Sequence, residues 1–119
     1  TTLFLYDGSP MRPSAEHLWK LIDRFGVTHF GISAKYLQTQ QEMSIVPKGI
    51  ADLSRLKRIY STGSPLSPAS FEYVYDAIAT SKHFMLSSIT GGTDIISLFA
   101  GGVNTLPIHS GEIQAPCLG

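Results

Sequence analysis

Four short stretches hold much of the small and hydroxyl-bearing character of this 119-residue chain. They are Asp7-Gly8-Ser9-Pro10, Ser33-Ala34-Lys35, Ser61-Thr62-Gly63-Ser64-Pro65 and the run Ser87 to Asp94, "SSITGGTD". Glycine lets a ligand come against the backbone, serine and threonine offer hydroxyls to phosphate oxygens, and a carboxylate such as Asp94 can hold a hard cation. Two adjacent glycines and a carboxylate at the end of an apolar run cost backbone entropy and set a charge beside the core. A bound ligand would compensate for both. The chemistry these residue types suit is that of a nucleotide or phosphate site. The plainer reading of TGGTD is a turn with an Asx-type hydrogen bond. That of STGSP is the approach to a helix that Ser67 caps and Pro68 begins.

The elements that must position these stretches follow from hydrophobic periodicity. Residues 1–6, "TTLFLY", form a β-rich run closed by Asp7-Gly8. A helix over 13–25 follows, with Ser14 as cap and Leu18, Leu21, Ile22 and Phe25 on one face. Strands are predicted at 27–33, 58–63, 83–89, 94–101 and 111–116, and helices at 34–43 and from Pro68, where Phe71, Val74, Tyr75 and Ile78 make the apolar stripe. A short helical turn is expected after Asp52. Strand and helix alternate from residue 1 to about 89, which implies an α/β fold, a mostly parallel sheet with flanking helices, ending in a terminal β segment. The early strands are apolar throughout, as when both faces are buried. Each of the four small-residue stretches then falls at the carboxyl end of a strand, the edge where open parallel sheets bind ligands and helix amino-termini point.

Composition narrows the function classes. Hydrophobic residues make up 43%, charged residues 15%, and the net charge is zero. With no basic stripe to displace counterions, nucleic acid is not an expected partner. The cluster Arg55, Lys57 and Arg58 suits a solvated turn. No apolar run approaches the ~18 residues of a membrane span, so no membrane partner is expected. Cys117 is the single cysteine, which excludes an internal disulfide and suits a reducing, cytoplasmic setting. The four histidines are scattered without metal spacing. The low charge and the ends, Thr1 inside a strand-like run and Leu118-Gly119, point to an excerpt of a longer protein. Trp19, Tyr36 and "IISLF" (95–99) are expected to be exposed apolar surface that the remainder of the chain would cover.

The four motifs "LYDGSP", "STGSPLSP", "SITGGTDIIS" and "GEIQA", in this order, resemble the adenylate-forming superfamily of acyl-CoA synthetases, and within it the branch that activates acetoacetate. The resemblance runs over essentially the whole chain. It implies that residues 1–119 are part of the larger adenylation domain, without the upstream phosphate loop and the carboxy-terminal lid that bear the family's catalytic lysines. No catalytic residue is therefore expected here, and the isolated segment should be inactive.

Carried over by position, the resemblance implies an ATP site made of Gly63, Ser64 and Pro65 against the adenine, Ser88, Ile89, Thr90, Gly91 and Gly92 along the nucleotide, and Thr93 on the α-phosphate. Asp94 would hold Mg2+, Gly91 would border the acyl pocket, and Met11 falls near a CoA-contacting position. Two departures stand out: Asp94 replaces the usual glutamate, and Thr90 replaces an aromatic that stacks on adenine. Gly91 stands where related acetate-specific enzymes carry a pocket-closing tryptophan, which favours a larger acid such as acetoacetate. The function implied is an ATP-dependent acid–thiol ligase using acetoacetate, ATP, Mg2+ and CoA. The alternatives are another short- or medium-chain acyl-CoA synthetase, or a non-catalytic α/β scaffold whose nucleotide site has decayed.

Overall fold

The computed structural model describes residues 1–117, so Leu118 and Gly119 at the end of "GEIQAPCLG" lie outside the described residues. Its centre is a three-stranded parallel sheet, β1 (His29–Ser33), β2 (Arg58–Thr62) and β3 (Met85–Ser88), in that spatial order. Helices α1 (His17–Phe25), α2 (Ala34–Glu42) and α3 (Pro68–Ala77) alternate with the strands. The register aligns Phe30 with Ile59 and Ile59 with Leu86. This row meets Leu18, Trp19 and Ile22 of α1, Tyr36 and Leu37 of α2, and Phe71 and Val74 of α3 in one core. The predicted parallel sheet with flanking helices is therefore present.

Local chemistry sets the helix limits. Gly26 ends α1 in the left-handed conformation, φ 59°, and its N–H donates to the Asp23 carbonyl. Ser33 caps α2 by accepting the Tyr36 N–H at 3.1 Å, and Ser67 caps α3 by accepting from Ser70 at 3.2 Å. The Ser67 and Pro68 start is as the sequence indicates. Ser14 does not cap α1. Its carbonyl accepts the His17 N–H in a tighter turn, and the helix begins only at His17, with Glu16 in the cap position.

Several expectations are corrected. Residues 1–6 are not a strand: they pair with no neighbour and lie exposed along α1, Phe4 4.7 Å from Phe25 and Tyr6 5.6 Å from His17 between ring centres. Strand propensity needs a partner edge to be realised, and this run instead covers helix side chains. Nor are both sheet faces buried. His29, Gly31, Ser33 and Thr62 are exposed, with Tyr60 half-buried between His29 and Arg58, because only alternate positions carry apolar side chains. The helical turn lies at Pro47–Gly49, ahead of Asp52, whose carboxylate instead accepts the Ser54 N–H at 3.0 Å in an Asx turn.

Trp19 and Tyr36 are buried, contrary to expectation, because they fill the space between α1, α2 and Phe30. Exposure of Ile95, Ile96, Leu98 and Phe99 is as expected.

The terminal β segment is a second, antiparallel sheet of β4 (Thr90–Gly92), β5 (Ser97–Gly101) and β6 (Ala115–Pro116). The predicted strand 94–101 thus starts at Ser97, because Thr93 to Ile96 form the hairpin turn, closed by the Ile96 N–H on the Thr93 carbonyl at 3.2 Å. Only two residues of the predicted strand 111–116 pair. Gly111 (φ 82°) and the Glu112 N–H on the His109 carbonyl make a turn of its first half.

Candidate functional site

The parallel register brings three of the four small-residue stretches to one edge. Ser33 at the end of β1 lies beside Thr62 at the end of β2, and Ser61 lies beside Ser88 at the end of β3. The Ile89 N–H donates to the Ser61 carbonyl at 2.9 Å, tying the departure of the fourth stretch to the third. The capped amino-termini of α2 and α3 stand at this same edge, their partial positive charge directed toward it. The first stretch, Asp7 to Pro10, follows no strand. It is folded into a turn in which the Tyr6 hydroxyl donates to the Ser9 and Arg12 carbonyls, both at 3.3 Å.

Gly63, Ser64 and Pro65 are exposed in the loop between β2 and α3. Gly63 has φ 90°, and a Cβ on it would meet nothing within 4 Å, so this backbone is open to a flat ligand face. Ser64 and Pro65 line a cleft of about 120 Å3 with Ala34, Gln38, Leu66, Ser67 and Ser70. Sequence reasoning picked out Ala34 through its stretch but missed Gln38, Leu66 and Ser70 as lining residues. The signal was available in the two helix starts that converge there.

The hairpin carries the rest. Thr90, Gly91, Gly92, Thr93 and Asp94 are all exposed, with Ile89 half-buried behind them. Ser88 is buried on the core face beside Ser61, so what it offers to the edge is backbone rather than hydroxyl. The two glycines differ. A Cβ on Gly91 would fall on the Ser97 carbonyl oxygen and 3.0 Å from the Leu98 Cα, whereas Gly92 is open to 4 Å. Close approach of β5 is thus one reason for glycine at 91. The 120 Å3 cleft is not lined by the hairpin residues or by Met11.

Asp94 is the candidate cation ligand. Among the described residues no three His, Cys, Asp or Glu converge as a ready metal cage. One exposed carboxylate still fits Mg2+, which commonly takes one or two protein carboxylates and completes its shell from substrate phosphates and water. A larger cleft, of about 300 Å3, lies away from these loops between α3 and Ile108 and Ser110, with Glu72 and Asp76 on its wall. The displaced ionisations are also elsewhere. Burial raises the phenols of Tyr36, Tyr73 and Tyr75, that of Tyr73 to about 12. The backbone N–H of Ser54 holds the Asp52 carboxyl low.

No family model matches the chain. Comparison with solved structures places the fold. It superposes on an acetoacetyl-CoA synthetase from Streptomyces lividans with a TM-score of 0.85 and 42% sequence identity, over 93% of this chain and 17% of that one. It superposes on the anthranilate CoA ligase AuaEII in complex with anthranoyl-AMP with a TM-score of 0.76 over 94% of this chain and 20% of that one; at 20% identity this is a likeness of fold. The mixed α/β architecture is that of a segment of the adenylate-forming enzyme domain.

Sequence comparison narrows this class. Over 118 residues the chain is 50% identical to the acetoacetyl-CoA synthetase of Danio rerio, matching 99% of this chain and 17% of the relative. It is 38% identical over 132 residues to a malonamoyl-CoA synthetase of Penicillium aethiopicum, matching 18% of that protein. The chain is homologous, over nearly its whole length, to one segment of acetoacetyl-CoA synthetases, and it spans 17% of the length of such relatives.

Proposed function

We propose that this segment supplies the nucleotide-facing part of a cytoplasmic, AMP-forming acid–thiol ligase that makes acetoacetyl-CoA from acetoacetate, ATP and CoA. The observation that carries the reading is the 50% identity to an acetoacetyl-CoA synthetase over 118 residues, in a fold whose loops gather at one sheet edge. In the first step the acid's carboxylate oxygen attacks the α-phosphorus of ATP and pyrophosphate leaves. In the second the CoA sulfur attacks the acyl carbonyl carbon and AMP leaves.

The roles proposed for this chain's residues are those the family resemblance implies. The open backbone at Gly63, with Ser64 and Pro65, is suited to the adenine face. Ser88 through its backbone, then Ile89, Thr90, Gly91 and Gly92, would run along the nucleotide. Thr93 would donate its hydroxyl to an α-phosphate oxygen, where a placed donor stabilises the charge that develops. Asp94 would hold Mg2+, which when bound neutralises charge on the phosphoryl oxygens. Gly91 would border the acid, and Met11 the CoA. A bulky residue at 91 would displace the Ser97 carbonyl, so pocket size is better tested by varying the acid than the residue.

A second reading is favoured by the malonamoyl-CoA synthetase relative. Acetoacetate and malonamate are both short acids with a carbonyl β to the carboxylate, differing by methyl against amide nitrogen. The same reaction on another β-carbonyl acid is the competing assignment. The test is mass-spectrometric detection of the thioester formed by the full-length chain with ATP, CoA and equal concentrations of acetoacetate, malonamate and acetate. Acetoacetyl-CoA as the main product supports the proposal, and malonamoyl-CoA would move the assignment to the second reading. No thioester from any acid would leave a ligase fold without the activity.

A further inference from the structure

Residues 1–6 lie along α1 in the orientation of a strand. Phe4 meets Phe25 at the end of α1 and Tyr6 meets His17 at its start, 4.7 and 5.6 Å apart between ring centres. The run therefore travels opposite to α1, and so in the direction of β1, which returns from α1 after residues 26–28. Its side chains alternate as in a strand: Phe4 and Tyr6 face the helix, whereas Leu3 and Leu5 are 78% and 79% exposed. Handedness fixes its side of the sheet. The chain steps from β1 to β2 to β3 through α2 and α3, and α1 packs in the same core as those helices. Parallel crossovers are nearly always right-handed, so a strand that enters α1 on this face lies across β1 from β2.

That is the side on which β1 is open. Thr28 turns its carbonyl to β2, accepting the Lys57 and Arg58 N–H groups, so by alternation His29 and Gly31 direct their backbone groups away from β2. Those groups have no partner among the described residues, and neither has any backbone group of residues 1–6. Were the run the direct neighbour of β1, both members of the ladder would already be present, yet no ladder forms.

We propose that the place between residues 2–6 and β1 is the seat of one further strand, contributed by the part of the full-length chain outside residues 1–119. The chain spans 17% of the length of the relatives it matches, so the same polypeptide has ample length to supply it. The occupant must span about five residues to match β1. It must be apolar at alternate positions, extending the row of Phe30, Ile59 and Leu86, and free of proline, because both of its edges are paired. With it in place Asp7 to Pro10 would follow a strand, as the other three small-residue stretches do.

The test is amide hydrogen exchange of the unmodified full-length chain, followed over residues 2–6 and 29–33. Residues 2–6 are expected to exchange at least about 100-fold more slowly than an unstructured chain, and equally so after about tenfold dilution. A second measurement separates an inserted strand from direct pairing. Full-length chains carrying Leu5→Cys with Gly31→Cys, or Leu3→Cys with Gly31→Cys, are oxidised and examined for a bridge. Neighbouring strands stand about 4.8 Å apart, within disulfide reach, whereas strands separated by a third stand about 10 Å apart and beyond it. No bridge is expected in either pair. Exchange of residues 2–6 at the unstructured rate would overturn the inference. Protection that falls on dilution would assign the seat to a second copy of the chain, and a bridge in either pair would show direct docking on β1; each would overturn it.

Discussion

Replacing Gly91 by alanine is expected to open the β4–β5 hairpin, whereas the same change at Gly92 is not. The difference lies in what the new methyl meets. At 91 it falls on the Ser97 carbonyl oxygen, with the Leu98 Cα at 3.0 Å and its Cδ2 at 3.2 Å; two of the three neighbours are backbone and cannot rotate away. At 92 it meets nothing within 4 Å. Neither glycine has the positive φ that would penalise alanine on its own. Forcing a methyl into a filled space costs about 1–3 kcal/mol. Removing backbone freedom from the unfolded chain where the native conformation allows alanine stabilises by about 0.4–1 kcal/mol. The assay is native-state amide exchange of residues 97–101 in the full-length chain. Gly91→Ala should lower their protection about 5- to 150-fold, which is 1–3 kcal/mol of local opening. Gly92→Ala should leave protection level or slightly raised. Equal effects, or the larger loss at 92, would refute the assignment of Gly91 to close packing.

Two further perturbations test other parts of the structure. Ser67→Ala removes the α3 cap and its contact with the Ser70 hydroxyl, and should cost about 1 kcal/mol in urea unfolding, with Ser67→Gly milder. Tyr73, whose hydroxyl donates to the Ile45 carbonyl at 2.8 Å, has its phenol pushed by burial from 10.0 to about 12. The fold therefore favours the protonated phenol. Its contribution is complete below the unfolded value near 10 and is lost as pH rises toward 12, so stability should fall across that window. The fall should be shallower in Tyr73→Phe, and a pH profile of unfolding midpoints unchanged by that substitution would contradict the argument.

What the sequence made legible was what alternation and capping encode. The stripe Phe71, Val74, Ile78 and the Ser67-Pro68 start placed α3, and the strand–helix alternation placed the parallel sheet whose edge gathers Ser33, Thr62 and Ser88. What it could not show was pairing. "TTLFLY" has strand composition but no edge to join, and "TGG", too short for periodicity to register, becomes a strand because β5 folds back on it. Burial was misjudged at Trp19 and Tyr36 because their partner, Phe30, comes from another element. The candidate site was legible as residue types in loops. That Ser88 turns inward, and that only Gly92 of the glycine pair is open, depends on register and on the bulge between Thr90 and Gly91.

If these loops serve acyl adenylation, acid-dependent isotope exchange between pyrophosphate and ATP tests that role most directly. The full-length chain would be assayed with Mg2+ and acetoacetate, beside the same chain carrying Asp94→Ala. Exchange is expected to require acetoacetate and to fall at least about 100-fold in the variant, the scale of removing a charge-stabilising group at the phosphoryl centre. Exchange that persists without acid, or that is unchanged by Asp94→Ala, would contradict it.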